Sequence, residues 1–471
     1  MSMLDQHGYA ARSAPQLGFG RRLGFGVGDF GINVFWNMTN LFAMFYYTDV
    51  IGISNTTAGL IIFGAMLWDT ITDPVIGVVA ERTRTPVGRF RPYLFIAAIP
   101  LGISFALMFS VPMAATGAAA TFAFATQLIF RTFYTLVGVP YSSLSARMTQ
   151  DSDERGALAV HRMMFATIAG IVIAAFTRDG AAVLGNGDLH DGFRSVSVLY
   201  SFIGVAAILV CAISTREPSP GEPGGEIRPE PRIRDILRML RHNSAFWTAF
   251  AIILVGMSGA TISSKAVLYY LKYNLGAEEL TGVTLLAVAV TIMLAVPFWG
   301  ALSKRIGKRQ VWACGCAIAA IATLSLWFNP FESPVSVILI LTFGALGSSA
   351  NYFSTWSTLP DTVEFGEWKT GIRSESTIFG AVAFAQKLAL GFATLIAGLL
   401  LDGFGYVANA EQTPLALTGL KIMISIIPFC TAIICLVLVL TYRLDQQFHA
   451  RIVQEIARRR ENNPVESEQD A

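Results

Sequence analysis

The sequence predicts an all-α polytopic membrane protein of twelve spans, arranged as two pseudo-symmetric halves of six, and three observations predict it. Hydrophobic residues make up 54% of the chain, charged residues only 14%, and mean hydropathy is +0.55, a balance that suits a bilayer and excludes a soluble enzyme. Twelve windows of about 20 or more mostly apolar residues recur along the chain, each enough for about 30 Å of hydrocarbon at about 1.5 Å per residue. Midway, residues 216–243 (REPSPGEPGGEIRPEPRIRDILRMLRHN) are rich in Pro, Gly and charge, as a linker is, with six windows on either side.

The spans follow in order. The first, 24–48, carries Asp29, Asn33, Asn37 and Asn40 at helical spacings, a polar stripe on one face. The second, 57–80, holds Asp69, Thr72 and Asp73; the third, 93–113, is apolar. The fourth, 118–143, places Arg131, Thr135 and Gly138 on one face, and the fifth, 158–178, opens with His161 and Arg162. The sixth, 195–214, closes the first half. In the second half the seventh span, 245–272, is marked by Ser258, Thr261 and Lys265, and the eighth and ninth are 281–302 and 310–328. The tenth, 335–358, carries Asn351, Thr355 and Thr358, the eleventh, 375–401, carries Lys387, and the twelfth is 416–441.

Orientation follows from the basic residues, which favour cytoplasmic loops. With the N-terminus inside, cytoplasmic segments hold 26 of the 34 Lys and Arg residues, and the outer loops hold only Arg178, Arg194 and Lys272. Both termini are therefore expected on the cytoplasmic side of an inner membrane. The resulting division is a cytoplasmic segment 1–22, a six-helix bundle 23–215, a cytoplasmic linker 216–243, a second bundle 244–442 and a cytoplasmic tail 443–471. No cleavable signal is apparent, because the first 20 residues lack an apolar core. Short basic loops at matching places in the halves, ERTRTPVGRFRPY after span two and SKRIGKRQ after span eight, support a repeat. Within the linker, Ile233–Leu240 suits a short basic helix on the membrane surface. Leu444, Phe448, Ile452 and Ile456 recur every four residues in the tail and predict a surface helix, with a frayed end after it.

Asp69 and Asp73 carry the strongest functional signal. Four residues apart, they share one helical face, and a charged group at mid-bilayer costs at least about 2.5–3.5 kcal/mol, so such groups face a wet cavity on an ion or substrate path. A structural ion pair is the alternative. Lone amides and hydroxyls such as Asn37, Asn40, Ser258 and Thr355 are expected to join helices instead. A sugar pocket needs aromatic faces beside polar groups; Trp36, Trp68, Tyr134, Tyr141, Tyr352 and Trp356 adjoin the polar stripes, and Tyr134 and Trp356 are the chosen candidates.

These residues also carry a resemblance. WDTITDP (Trp68 to Pro74), TRTPVGRFRPY (Thr83 to Tyr93), VPYSSL (Val139 to Leu144), HRMMFA around Arg162 and LPDTVEFGEWKTGIRSES (Leu359 to Ser376) resemble, in order, the glycoside-pentoside-hexuronide:cation symporters, the melibiose permease-like family. The similarity runs from about Leu23 to Arg451. It implies the major facilitator fold, with alternating access between two six-helix bundles, and a cation site at Asp69, Asp73 and Thr135. Hard cations such as Na+ suit carboxylate and hydroxyl oxygens, and the same carboxylates could bind a proton, so the coupling ion is Na+ or H+. Arg162 and Lys387 match the family. Asn33 and Gly138 replace acids, while Arg131 and Lys265 stand where small residues are expected. Arg131, one turn before Thr135, should project to the same cavity side.

The expected substrate-binding set is thus Asp29, Asn33, Arg131, Tyr134, Arg162, Lys265, Trp356 and Lys387, and the added positive charge points to an acidic glycoside such as a glycuronide. The competing reading is that Arg131 and Lys265 merely neutralise Asp69, Asp73 or Asp29 around a neutral cargo. Arg82, Arg84, Arg89 and Arg91 are candidates to meet Asp361, Glu364 and Glu367 across a cytoplasmic gate, in pairs made in one state and broken in the other. A lipid or other amphiphile as cargo, or a nontransporting receptor, stands as the alternative function.

No enzyme is expected: the five histidines are scattered, and neither a nucleophile elbow nor a phosphate loop is convincing. The five cysteines all fall in spans and suggest packing, not disulfide or metal chemistry. No cofactor beyond the coupling ion is expected, nor any nucleic acid at a net charge of +2. The partners are a small-molecule substrate and membrane lipid, and the protein is expected to be a monomer.

Overall fold

The computed structural model describes residues 18–112, 116–149, 152–217, 233–329, 333–372, 375–442, 444 and 446–462. Most of segment 1–22, the centre of the linker and the end of the tail therefore lie outside the described residues. The chain runs α1 (Phe19–Phe45, continued by a π turn Tyr46–Val50), α2 (Asn55–Arg82), α3 (Arg91–Met108), α4 (Thr116–Met148), α5 (Ser152–Leu184) and α6 (Leu189–Ser214). A short α7 (Ile233–His242) leads into α8 (Ser244–Tyr269, with a π turn Tyr270–Asn274), α9 (Thr281–Ile306), α10 (Lys308–Trp327), α11 (Pro334–Thr370) and α12 (Glu375–Gly403). The last span is broken into α13 (Pro414–Ile424) and α14 (Ile426–Thr441), and α15 (Gln446–Asn462) follows.

Among the described residues, eleven helical segments are long and apolar enough to cross a membrane. The twelfth span is α1. Its length suffices, but its polar stripe keeps it out on composition. The amides satisfy themselves along the helix: Asn33, Asn37 and Asn40 each donate to the carbonyl one turn earlier, on Asp29, Asn33 and Trp36. Asn37 and Asn40 thus brace their own helix, where cross-helix bonds were expected.

Helix pairing repeats between the halves. In the first, α1 packs on α5 and α6, α3 on α4 and α6, and α2 on α4; in the second, α8 packs on α12 and α14, α10 on α11 and α14, and α9 on α11. The first span of each half also ends alike, in a π turn followed by a glycine at positive φ, Gly52 at +82° and Gly276 at +58°, a conformation glycine adopts without strain. The halves meet mainly along α2 with α12 and α5 with α9. Close approach along the first seam depends on Gly398, where a Cβ would sit 2.3 Å from the Asn55 carbonyl oxygen.

The twelfth span departs from a single rod. Pro428 lacks the N–H that would bond one turn back and crowds that carbonyl, and the chain breaks at Ser425 (φ −121°, ψ −67°). The tail helix forms as its spacing predicts and packs inward: Leu444, Ile452 and Ile456 bury against Ala245, Phe365 and Tyr442. Likewise α7 is fixed to the second half through Met239, which packs on Leu359, Val363, Ile378 and Val382.

Candidate functional site

Between the halves lies a cavity of about 420 Å³ lined by Asp29, Asn33, Trp36, Asp73, Tyr134, Thr135, Gly138, Tyr141, Ser142, Ser143, Arg162 and Lys387, together with Ile32 and Val139. Spans one, two, four and five supply its wall, and α12 contributes Lys387 from the other half. Two carboxylates one turn apart on α2 reach α4, whose Thr135 hydroxyl is 2.6 Å from Asp69 Oδ1 and 3.0 Å from Asp73 Oδ1. Lys387 Nζ closes the group, 2.8 Å from Asp69 Oδ2 and in direct contact with Asp73. Asp69 is fully buried, while Asp73 borders the cavity.

A second pair stands on the same wall. Arg162 Nε is 2.9 Å from Asp29 Oδ1, and its guanidinium lies 5.4 Å from the Tyr141 ring centroid. Trp36 and Tyr134 stack with centroids 5.6 Å apart at 25°, giving the cavity a flat aromatic surface beside the amide of Asn33 and the hydroxyls of Ser142 and Ser143. Such a surface takes the CH face of a sugar ring while polar neighbours meet its hydroxyls.

The expectation that Arg131 and Lys265 project into this cavity is corrected. Arg131 lies behind Trp36, its guanidinium 5.3 Å from that ring and its Nη1 3.7 Å from Asp69 Oδ2; the four-residue step to Thr135 sets the face of α4, but the long side chain packs away from the opening. Lys265 is buried and donates to the Asn40 carbonyl, joining α8 to α1. Trp356 is also absent from the cavity lining; it stands half-exposed on α11, edge-on to Tyr352 and beside Phe379. Trp68 donates to Thr132 Oγ1 at 2.9 Å, linking α2 to α4.

The end bearing the basic loops separates from the opposite end in a telling way. At the opposite end the halves are bolted together by Asp49, which sequence reasoning missed. Its buried carboxylate accepts from Tyr406 and Tyr273 hydroxyls at 2.8 Å and from Lys272 Nζ at 3.1 Å. Thr48 and Tyr269 hydroxyls are 2.9 Å apart, Arg178 pairs with Glu278 at 2.5 Å, and Asp402 accepts from the Asn55 side chain and the Thr56 N–H. A signal was present in the matching YYTDVIGIS and YYLKYNLGA runs (Tyr46 and Tyr269 onward), which mark equivalent span ends facing each other.

At the basic end, several of the gating candidates have partners within their own half. Asp361 is held by Lys308 at 2.8 Å, and Glu364 contacts His449, all within the second half. Arg91 donates to the Ala212 and Val87 carbonyls, and Glu217 caps the N–H groups of Arg89, Phe90 and Arg91. Arg82 and Arg84 lie at the end of α2 and just past it, and Glu367 on α11. Of the cavity's lining, Ser142, Ser143 and Arg162 stand nearest this end, on the parts of α4 and α5 that lead to it.

A sequence profile described as MFS/sugar transport protein matches residues 24–446. The chain is similar to an uncharacterized symporter, YnaJ, of Bacillus subtilis (strain 168), 30% identical with 93% of this chain and 94% of that one covered. It is 27% identical to the isoprimeverose transporter of Lactiplantibacillus pentosus, covering 90% and 88%, and 26% identical to a glucuronide carrier protein homolog of Escherichia coli (strain K12), covering 94% and 97%. Among solved structures it resembles a bacterial homolog of the human lysosomal transporter Spinster in an inward-facing, unoccupied conformation, with a TM-score of 0.64 at 14% identity over 92% of this chain and 97% of that one.

Proposed function

This chain belongs to the MFS/sugar transport protein family, a family of membrane transporters and not of enzymes, and from that premise we propose that it is a cation-coupled symporter of a glycoside. The observation that carries this reading is the joint presence of an aromatic and hydroxyl-lined cavity with a carboxylate pair in its wall that is bridged by a lysine from the opposite half. Symporter and isoprimeverose transporter are names borne by relatives and support the same class. By the positive-inside rule the basic end is cytoplasmic, which puts the protein in the inner membrane with both termini inside and makes this an inward-facing state.

Asp69, Asp73 and Thr135 form the coupling-ion site. In this state Lys387 occupies it, so an arriving cation or proton displaces the ammonium and frees α12 from α2. Opening of the seam at that end and closure at the other is the alternating-access step. Arg82, Arg84, Arg89 and Arg91 on one side and Asp361, Glu364 and Glu367 on the other are the charges available to close the cytoplasmic end in the outward-facing state.

Cargo is read as a neutral glycoside held by Asn33, Tyr134, Trp36 and the Asp29–Arg162 pair. Each cavity cation faces a carboxylate, Arg162 with Asp29 and Lys387 with Asp73, so no surplus positive charge is left for an acidic group. The acidic reading rested on Arg131 and Lys265, which lie outside the cavity lining. Counterflow of labelled isoprimeverose by the purified chain in liposomes, competed by matched neutral and glucuronide aryl glycosides, tests both points. Competition by the neutral compounds is expected; absence of counterflow by any glycoside removes the transport reading, and stronger competition by the glucuronide restores the acidic cargo.

A further inference from the structure

Arg131 is the one buried arginine among the described residues, and its place beside the carboxylate pair is unlike that of any other cation there. Its side chain is 1% exposed and its Nη1 stands 3.7 Å from Asp69 Oδ2. Among the described residues none of its guanidinium nitrogens has a hydrogen-bond partner. Trp36 covers it from the cavity side and Phe130 flanks it. Lys387, by contrast, is 19% exposed and enters from the other half, so it leaves when the halves move. Arg131 shares α4 with Thr135 and stays with the site in every state.

A guanidinium keeps its charge at any pH a cell meets. One of the two negative charges on α2 is therefore balanced permanently, and only the second is available to an ion. Na+ collects several oxygen ligands at once; drawing on both carboxylates and Thr135 would set it against the fixed positive charge of Arg131 inside low-dielectric surroundings, where like-charge repulsion is strong. A proton needs one carboxylate oxygen and adds no ion to be coordinated.

We propose that Arg131 is the ion-selectivity determinant of this transporter, excluding Na+ from the Asp69–Asp73 site and leaving H+ as the coupling ion taken up by Asp73. The inference rests on the reading of that pair as the ion site. Groups facing Asp73 are Asp69 from its own helix, Thr135 and Tyr134 from α4, Lys387 from α12, and the Asp29–Arg162 pair across the cavity from α1 and α5, while Arg131 reaches the group through Asp69. Of these, Lys387 alone both neutralises Asp73 and departs with the conformational change, so proton uptake and Lys387 release are one exchange of positive charge.

Binding of radioactive sodium to the purified full-length protein in detergent tests this, using scintillation proximity with unlabelled NaCl against choline chloride as competitor. The wild type is expected to show no saturable signal. Arg131→Gly should gain a saturable signal about tenfold or more above wild type, the direction that removal of a nearby like charge dictates, while Arg131→Lys should not. Adding Asp69→Asn to Arg131→Gly should abolish the gain. Saturable sodium binding by the wild type, no gain in Arg131→Gly, or a gain that survives Asp69→Asn each overturns the proposal. If Arg131→Gly elutes as an aggregate, Arg131→Met gives the same reading at conserved volume. Sodium binding with glycoside counterflow intact removes only the proton selectivity, whereas loss of counterflow in the wild type removes the transport reading and leaves the sodium result to stand alone.

Discussion

In α2, Asp69 and Asp73 lie five residues and one residue before Pro74, with Gly77 three beyond it; in α9, Ile292 and Val296 stand at the same distances before Pro297, with Gly300 three beyond. The two helices hold equivalent places, each packing on the fourth span of its half and against the other half. One carries the carboxylates that meet Thr135 and Lys387; the other lines an apolar hollow inside the second half. A repeated backbone thus supports chemistry on one side only. Symmetry supplies two like bodies, and asymmetry supplies the carboxylate group that, on the proposed reading, takes the coupling ion.

The largest expected effect comes from breaking that asymmetry. Asp69→Ala leaves Arg131 and Lys387 facing a lost partner in a buried site, and removing one member of such a group costs about 3–5 kcal/mol. Gradient-driven uptake into proteoliposomes of whichever glycoside shows counterflow should fall by at least about 100-fold, the equivalent of about 2.7 kcal/mol. Ile292→Ala, the matched position in the second half, should change uptake by less than about threefold and stability by about 1 kcal/mol. Equal losses from both substitutions would mean that the carboxylate is structural and that the halves do not divide the work.

Next in size is the seam. Gly398→Ala would drive a methyl group to 2.3 Å from the Asn55 carbonyl oxygen, whereas at Gly380 on the same helix nothing lies within 4 Å. Overpacking of this kind costs about 1–3 kcal/mol, while alanine at an open helical site gains up to about 1 kcal/mol over glycine. Thermal unfolding of the two variants should therefore shift in opposite directions. A neutral Gly398→Ala would show that α2 and α12 do not need their close approach.

The outer bolt follows. Asp49→Asn removes the charge that faces Lys272 and takes an acceptor from the Tyr273 and Tyr406 hydroxyls, while the basic end keeps its contacts. A cysteine placed at Asn33, in a background without the five native cysteines, should react about tenfold faster with an impermeant thiol reagent added from outside, as expected for about 1.4 kcal/mol taken from the closed state. An unchanged rate would show that Arg178–Glu278 and Asp402 hold this end without Asp49.

Much of this architecture was legible because hydrophobic length is a strong signal and buried charge is a conspicuous one. The spans, the α2 carboxylates and the tail helix all follow from spacing, and Thr135 beside the carboxylates follows from the family resemblance, whereas Lys387, expected on the substrate, bridges the two carboxylates instead. What the sequence did not reveal was side-chain direction. Arg131 and Thr135 share a face of α4, yet a long side chain can turn behind Trp36 while a short one reaches the cavity, and helical spacing does not distinguish the two. Asp49 was passed over because it ends a span, where charge is ordinary; its partners Tyr273 and Tyr406 come from segments far along the chain. The break at Ser425 was hidden in a largely apolar run, with Pro428 as its mark.

The smallest expected effect concerns packing. Between α1, α3 and α4 the first half is filled by Phe35, Phe105, Phe109 and Phe130, with ring centroids 4.9–5.7 Å apart. Among the counterpart helices of the second half, Gly256, Ala260, Ala319, Gly344 and Ala345 leave a cavity of about 320 Å³. Ala345→Leu adds three carbons to that space. Each methylene buried contributes about 0.8 kcal/mol, less the side-chain entropy lost, so a net gain of about 1 kcal/mol is expected as a higher unfolding temperature in detergent. If the hollow lets the second half deform as the seam opens, the same variant should transport more slowly despite its greater stability, the exchange often seen when a flexible region is filled. A gain in stability with uptake unchanged would assign the hollow to loose packing alone and leave the halves to move as rigid bodies.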